Sequence, residues 1–325
     1  MRVLFLDHPE GDFLSAEVFW GLHEILGPEG VVDFPYKKSF HGGLDTYPSC
    51  YPSGHGDPIG TTGPFSWMPN LPGRDWSEED VVRGLNERKF DLVVLASPRT
   101  YNTRDLRRLI GRVGRDRMPK IVLVDGEDYD RWHHDLCDEF KPHVYFKREL
   151  FGGGHCSGVP IEPFPFCSPL PVMPEVAKDI DVLFLAGKTH ANREKYANAL
   201  RDAFGNRVVS GHFGYADYLN AMNRARVAVS VRGWGQDTLR YWEIPSFENT
   251  LLVADKLPLM RPYPFVHGET CLYFEDPKGL VDAVRCALED EPWRERIARA
   301  GNAHLRAHHT TKARAQQLLD RSARA

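Results

Sequence analysis

The amino-acid sequence predicts an α/β protein built from two Rossmann-like domains that face one another. Two observations lead to this prediction: short apolar runs of strand length recur along the chain, and helical patterns lie between them. The runs lack polar–apolar alternation, which is typical of parallel strands buried on both faces. Regular alternation of strand and helix indicates a doubly wound fold. The length of 325 residues suits two domains of about 150 residues each.

The predicted strands are rich in Val and Leu and are bounded by polar or turn residues. They cover residues 3–6, 91–97, 120–125, 143–146, 181–187, 226–231 and 250–255. The helical patterns cover residues 15–26, 77–89, 103–114 and 193–204, followed by three further helices from residue 277 onward. Ser15 is a candidate cap for the first helix, and Ser77 with Asp80 resembles a capping box for the second.

The alternation pauses at residues 151–178, which hold four glycines and six prolines. Such a segment cannot continue a helix or a central strand, so it is interpreted as the interdomain linker. The predicted domains are therefore residues 1–165 and 166–325. Within the first domain, residues 36–76 form a long loop rich in Gly, Pro and aromatic residues. A substrate-facing role and a purely structural excursion both remain open for this loop.

Composition narrows the classes of function. The net charge of -4 and the pI of about 6.4 give no overall basic surface for nucleic acid or an anionic membrane. The chain has no apolar run of about 18 residues, the length needed to span a bilayer. The first residues are interpreted as a strand and not as a signal peptide. Six scattered cysteines are then expected to be reduced thiols in a cytoplasmic protein.

Residues 232–255 carry the main candidate site. Gly233 and Gly235 allow close approach to a ligand after a strand, and Asp237 or Thr238 could cap the following helix. Arg240 and Glu243 are three residues apart on that helix and share a face. The helix start and the arginine would suit a diphosphate, and the glutamate would suit two ribose hydroxyls. The alternative is a surface salt bridge on an ordinary helix.

A family resemblance supports the first interpretation. The segments "DTLRYWEI" and "TLLVADKLP" resemble the C-terminal domain of GT-B glycosyltransferases, in particular the CgeB-like group, and are also similar to exostosin-type domains. The similarity extends over residues 181–319, including "CLYFEDPKGLVDAVRCALEDEPWRERIARAGNAHLRAHHTTKARAQQLL". It implies a metal-independent, hexosyltransferase-like enzyme. The donor would be a nucleotide-sugar such as a UDP-, GDP- or dTDP-sugar, bound by residues 166–325. The acceptor, a glycan or small molecule, would be bound by residues 1–165.

The resemblance also implies roles for individual residues. Glu243 matches the ribose-binding glutamate and Arg240 the arginine beside it. Basic residues that neutralise the diphosphate leaving group match Lys188 and Arg193. The positions that contact the phosphates and the transferred sugar are Gln236, Asp237 and Thr238.

Three positions depart from the family pattern. Pro245 lies inside the expected helix and would kink or shorten it, and Asn249 stands where a glycine usually takes the left-handed cap. Gly235 and Gln236 occupy the place of an upstream glutamate, for which Asp237 could substitute. These departures motivate an alternative: a catalytically inactive GT-B-like protein that binds a nucleotide or glycan. A two-domain hydrolase or sensor is a third class, but the sequence has no nucleophile elbow and no P-loop.

An inverting transferase also needs a general base for the acceptor hydroxyl, whereas a retaining one does not. Loops at strand ends in the first half supply three candidates, His8, Asp12 and Asp128. The alternative is that such acidic residues only end strands and cap helices. Lys147 and Arg148, at another strand end, could also face the cleft.

A structural metal site is a further possibility. His133, His134 and Cys137 lie at helical spacing, and His155 with Cys156 follows a glycine run. Neither group contains a C-x-x-C pair, and chance clusters are expected among 14 histidines. The sequence is therefore interpreted without a metal.

Overall fold

The computed structural model describes residues 1–8, 12–41, 71, 75–98, 100–186 and 190–324, without the side chains of residues 38, 39, 101, 191 and 215. By their internal contacts the described residues form two compact units. Unit 1 comprises those up to Pro165 together with residues 311–324, and unit 2 comprises those from Phe166 to Thr310.

Unit 1 is built on a seven-stranded sheet with the order β2-β1-β3-β4-β5-β7-β6. All neighbours pair in parallel except β6, which is antiparallel to β7. The strands are β1 (Val3–Leu6), β2 (Val31–Phe34), β3 (Leu92–Ala96), β4 (Lys120–Asp125), β5 (Val144–Lys147), β6 (His155–Cys156) and β7 (Val159–Pro163). The helices are α1 (Phe13–Leu26), α2 (Glu78–Asn86), α3 (Thr100–Val113), α4 (His134–Phe140) and α10 (Thr311–Arg324).

Unit 2 is built on a five-stranded, fully parallel sheet with the order β12-β11-β10-β8-β9. Its strands are β8 (Ile180–Phe184), β9 (Val208–Ser210), β10 (Ala225–Ser230), β11 (Leu251–Asp255) and β12 (Leu272–Phe274). Its helices are α5 (Ala191–Phe204), α6 (Tyr215–Arg224), α7 (Leu239–Glu243), α8 (Pro277–Glu289) and α9 (Glu291–His308).

The predicted α/β class with two parallel sheets is confirmed, and every predicted strand is present. Strands β1, β3 and β10 are almost entirely buried, as their continuous apolar sequences predict. The predicted linker is wrong over residues 155–163, which form the β6–β7 hairpin on the outer side of β5. Prolines are tolerated there because the hairpin lies at the edge of the sheet, where fewer ladder hydrogen bonds are needed.

Helix ends agree with the sequence in two places and differ in two others. The Ser77–Asp80 capping box is present, and Pro245 lies in a 3-10 turn, Ile244–Ser246, that ends α7 after five residues. The cap of α1 is Asp12 and not Ser15: the Asp12 carboxylate accepts from the Ser15 backbone N–H at 2.7 Å. Asn249 is not left-handed; its buried side chain donates to Glu175 instead.

The predicted domain of residues 166–325 is wrong at its end, because α10 packs against α1 in unit 1. The contact is close: a methyl group on Gly21 would lie 2.1 Å from the Thr311 carbonyl oxygen. Farther along α10, Gln317 donates to the Pro163 carbonyl at 3.0 Å and Lys120 donates to the Ser322 carbonyl at 3.1 Å. A helix that follows unit 2 in sequence therefore completes unit 1.

Among the described residues, no helix combines the length and apolar character that crossing a membrane would require.

The packing of α10 gives a stability prediction. Substitution Gly21→Ala pushes a methyl group into backbone atoms of Thr311, so we expect the free energy of unfolding to fall by about 2 kcal/mol. Gly111→Ala in α3 is the matched control, because a methyl group there meets no atom within 4 Å. That control should gain up to about 1 kcal/mol from helix propensity. Urea denaturation followed by circular dichroism measures both, and equal stability of the two variants would contradict the packing.

Candidate functional site

The carboxyl end of β10 in unit 2 is held by an arginine from a neighbouring helix. Arg193 on α5 donates from Nε to the Arg232 carbonyl at 2.8 Å and from Nη2 to the Val231 carbonyl at 3.3 Å. The backbone N–H of Arg232 donates to the Asp255 carboxylate at 3.0 Å, at the end of β11. These three bonds fix the start of the Gly-rich loop that follows the strand.

Positive charge accumulates at this position. Burial, followed by repulsion from Arg240, lowers the pKa of Arg193 to about 10. Burial, followed by repulsion from Arg232 and Arg193, also lowers the pKa of His190. The Nε atoms of Arg232 and Arg240 are buried and have no hydrogen-bond partner among the described residues. We call Arg193, Arg232 and Arg240 the cation cluster; the lowered pKa leaves His190, beside them, neutral near pH 7.

One carboxylate that offsets this charge is Asp255, at the end of β11. Burial raises the pKa of Asp255 to about 6, although Arg232 and Arg261 act in the opposite direction. Partly buried positive charge costs free energy, and so do buried N–H donors without hydrogen-bond partners, such as the Nε atoms of Arg232 and Arg240 among the described residues. A bound anion would lower both costs. The cation cluster therefore has the chemistry of an anion-binding site.

Glu243 lies at the end of α7 and is oriented by a residue from α6. The Tyr218 hydroxyl donates to Glu243 Oε2 at 2.6 Å, and the Arg240 guanidinium lies 5.9 Å from the centre of the Tyr218 ring. Burial and the charge of Glu243 raise the pKa of Tyr218 well above its usual value, so the phenol keeps its proton. Tyr218 thus connects the two helices and restricts the directions in which the Glu243 carboxylate can accept further bonds.

Asp237 serves the local structure. Its Oδ2 accepts from the Phe166 backbone N–H at 2.7 Å and its Oδ1 accepts from Trp242 Nε1 at 2.9 Å. Thr238 precedes α7 without capping it, and its hydroxyl lies 3.1 Å from that of Ser230. Gln236 is half-buried in the same loop. Lys188, the other predicted phosphate ligand, lies outside the described residues, as does most of the loop 36–76.

The three predicted base candidates of unit 1 lie at strand ends and already make local contacts. His8 is only 2% exposed, and its Nε2 lies 3.9 Å from Asp7, which is paired with Lys37 at 2.6 Å. Asp12 caps α1, as described above. Asp128 forms an ion pair with Arg148.

A second charged group lies at the end of β4. Ligand atoms of Asp125, Glu127 and His133 lie within 4.8 Å of one another, which is close enough to share a metal ion. However, the buried Lys147 ammonium lies 3.1 Å from Asp125 Oδ2. His133 Nε2 lies 3.4 Å from Glu127 Oε2, and this contact lowers the pKa of Glu127 to about 2 and raises the pKa of His133. Protein cations therefore already balance these carboxylates.

The histidines and cysteines first considered for a metal do not assemble into one group. Cys137 and Cys156 lie side by side, and burial raises the pKa of both thiols. His134 lies 3.4 Å from the Ser157 hydroxyl, and His133 faces the carboxylates. These histidines and cysteines therefore lie in different environments and do not form one metal site.

The sequence did not identify three residues of the site in unit 2. Arg232 comes directly after a strand. Because loops at strand ends often contact ligands, its position could have identified it as a candidate. His190 is the N-cap of α5. Histidine is not among the residues that usually take this position, so the sequence did not indicate it. Tyr218 comes from a separate helix, and no local pattern relates it to Glu243.

Comparisons with known proteins agree with this fold. Residues 178–320 match a family model described as glycosyl transferase-like. Among curated proteins, none matches the chain significantly. The solved structure of HepE from Anabaena in complex with UDP has a TM-score of 0.60 at 12% identity, with 100% of each chain covered.

Two further solved structures give the same result. An α-glucosyltransferase in complex with UDP and a 13-mer DNA has a TM-score of 0.58 at 10% identity, over 99% of each chain. A glycosyltransferase from Rickettsia africae has a TM-score of 0.57 at 8% identity, over 99% of this chain and 98% of that one. The fold is that of the GT-B glycosyltransferases. At these identities the likeness concerns the fold alone.

The raised pKa of Asp255 gives a pH prediction. Because the folded protein binds this proton more tightly than the unfolded chain, Asp255 stabilises the fold below pH about 4. That contribution is lost as the pH rises through about 6. We expect the Tm of Asp255→Asn to fall less between pH 4 and 7 than the Tm of the unmodified protein. Asp217→Asn, an exposed position on α6, is the control and should follow the unmodified protein; identical profiles for all three would refute the effect.

Proposed function

We propose that this protein is a glycosyltransferase that moves a sugar from a nucleotide-sugar donor to a glycan or small-molecule acceptor. The cation cluster is the observation that carries the proposal. Three arginines meet at the carboxyl end of β10, and among the described residues the Nε donors of Arg232 and Arg240 have no partner. A nucleoside diphosphate carries the charge that such a site would neutralise.

The neighbouring carboxylate supports a nucleotide over a simple phosphate. Glu243 is three residues from Arg240 on α7, and Tyr218 holds its orientation. A fixed carboxylate accepts hydrogen bonds from two adjacent hydroxyls, as the ribose of a nucleotide presents them. The match of residues 178–320 to a glycosyl transferase-like family and the UDP complexes of similar structures favour UDP as the first nucleotide to test.

The proposed reaction proceeds without a metal ion. As the bond to the sugar breaks, negative charge develops on the leaving diphosphate, and fixed cations stabilise that charge in the transition state. Arg193, Arg232 and Arg240 would supply this stabilisation, and Lys188 is a further candidate. We place the donor site in unit 2 and infer a cytoplasmic protein that does not bind nucleic acid.

A second function is favoured by the two hydrogen bonds that Asp237 accepts. Both oxygens of Asp237 hold Phe166 and Trp242, so Asp237 is poorly placed to replace the upstream glutamate of the family pattern. A nucleotide- or glycan-binding protein without catalysis would fit this observation. One measurement distinguishes the two functions. When acceptors are supplied, a transferase releases the nucleotide from a bound nucleotide-sugar, and a protein without catalysis does not.

Donor binding tests the proposal directly. Titration calorimetry with UDP, GDP, dTDP and their glucose conjugates should show binding of at least one. We expect Arg240→Gln and Glu243→Gln to weaken it by about tenfold or more, because each removes a charge-assisted hydrogen bond. Arg201→Gln is the matched control: it removes one exposed arginine from the end of α5 and should change the Kd less than twofold. Absence of binding for every nucleotide would contradict the proposal.

The role of Tyr218 gives an independent prediction. Tyr218→Phe removes the hydroxyl that orients Glu243, so we expect nucleotide binding to weaken about tenfold. The same substitution should have little effect when Glu243→Gln is already present, since the two residues act together. Tyr273→Phe is the control, because it loses a hydroxyl contact with Tyr241 at 2.6 Å in the same unit. Additive losses in the double variant would show that Tyr218 does not act through Glu243.

A further inference from the structure

Three histidine side chains meet at the end of α9 in unit 2. The ring centres of His304 and His308 are 4.9 Å apart, and the His309 ring lies 5.3 Å from the first and 6.2 Å from the second. His309 is fully buried, whereas His304 and His308 are half-buried. Residues four apart share a helix face, so His304 and His308 lie one turn apart on the same side of α9. The proposed transfer reaction gives none of the three a role.

Tyr263, in the loop between β11 and β12, orients these rings. Its carbonyl oxygen lies 2.8 Å from Nε2 of His304 and 2.8 Å from Nε2 of His309. A carbonyl oxygen only accepts, so in each neutral ring Nε2 carries the hydrogen atom and Nδ1 carries the lone pair. The Tyr263 ring also stacks on the His308 ring, with centres 4.4 Å apart and planes at 12°. Tyr263 thereby sets the tautomer of His304 and the plane of His308.

This arrangement is maintained against backbone strain. Tyr263 has a φ of 47°, in the left-handed region that a bulky side chain rarely adopts. Tyr263 is 61% exposed, so burial of its ring does little to offset the strain. Strained backbone that the surrounding structure maintains is found most often at ligand-binding positions. The strain therefore draws attention to the histidines that Tyr263 holds.

The His304–His308 pair has the spacing of a metal chelate. Bonds of about 2.0–2.1 Å from a metal ion to the ring nitrogens place each ring centre about 3.2 Å from the ion. At a bond angle of about 90–109°, the two centres would be about 4.5–5.2 Å apart, and the observed separation is 4.9 Å. Histidines that bind a metal usually donate their other N–H to a carbonyl or carboxylate, as His304 donates to Tyr263.

The charge of the surroundings also favours a cation. Burial, followed by repulsion from His304, lowers the pKa of His308, so its ring is neutral near pH 7 and keeps a lone pair for a metal. In addition, α9 ends at His308. The carbonyl groups of the last helical turn concentrate partial negative charge at this end.

We propose that His304 and His308 chelate a divalent transition-metal ion, through Nδ1 of His304 and one ring nitrogen of His308. Water completes the coordination, because the two histidines supply two of the roughly four ligands that such an ion takes. Among the divalent first-row metals, Cu²⁺ should bind most tightly. A bound ion would fasten the β11–β12 loop to α9 through Tyr263. The inference is independent of the proposed transferase function, since none of these residues takes part in it.

Titration calorimetry of the full-length protein, prepared without an affinity tag, tests the inference with NiCl2. We expect binding at pH about 7.5 and its loss at pH about 5.5, where protons compete for the ring nitrogens. His304→Ala and His308→Ala should each weaken binding about tenfold or more, because only one ligand remains. His155→Ala is the matched control: it removes an exposed histidine from β6 in unit 1 and should change the Kd less than twofold.

Variants of Tyr263 test the geometry while leaving both ligands in place. Tyr263→Gly relieves the strained φ and removes the stacked ring, so we expect the Tm to rise by about 2 °C while the Kd for Ni²⁺ rises about threefold or more. Tyr263→Phe keeps the ring and the carbonyl group and should bind Ni²⁺ as the unmodified protein does. Circular dichroism checks that each variant is folded.

Three outcomes would overturn the inference. They are no Ni²⁺ binding with a Kd below about 1 mM, an affinity unchanged by both His304→Ala and His308→Ala, or equal affinities of Tyr263→Gly and Tyr263→Phe. UDP binding, measured in parallel with EDTA present, succeeds or fails separately. Loss of one activity therefore does not imply loss of the other.

Discussion

Parallel strand pairing is the constraint on which the chemistry of this protein depends. In a parallel sheet all strands end at the same edge, so residues that are distant in sequence become neighbours there. In unit 1 this edge brings Asp125 Oδ2, at the end of β4, within 3.1 Å of Lys147 Nζ, at the end of β5. In unit 2 it brings Arg232 next to Asp255. The buried polar groups described above lie at these edges because the rest of each sheet is apolar and closed.

The balance of buried positive and negative charge differs between the two sheet edges. In unit 1 buried carboxylates have protein cations as partners, as in the pairs of Asp7 with Lys37 and of Asp125 with Lys147. At the carboxyl end of β10 in unit 2, three arginines (Arg193, Arg232 and Arg240) lie near two carboxylates, Asp255 and Glu243. A balanced edge suits a neutral ligand held by hydrogen bonds, and an edge with excess cation suits an anion. This difference is one reason for proposing an anionic ligand in unit 2.

Part of the candidate site in unit 2 was predictable from local patterns. The three-residue spacing of Arg240 and Glu243 places them on one face of a helix wherever that helix lies, and Pro245 ends the helix because it lacks an N–H. The role of Asp237 was not predictable, since its partner Phe166 lies 71 positions earlier in the chain. The orientation of Glu243 by Tyr218 likewise depends on how α6 and α7 pack, which no spacing in the sequence reports.

The sequence by itself predicted seven of the twelve strands in the described residues, most of the helices and the α/β class, because continuous apolar runs and helical spacing are local properties of the chain. Only the tertiary structure decided the order of the strands, the attachment of α10 to unit 1, and the orientation of Glu243 by Tyr218. These depend on which elements become neighbours, and therefore on packing between residues far apart in sequence. Hydrophobic periodicity specifies that a segment is buried; it does not specify the segment against which it is buried.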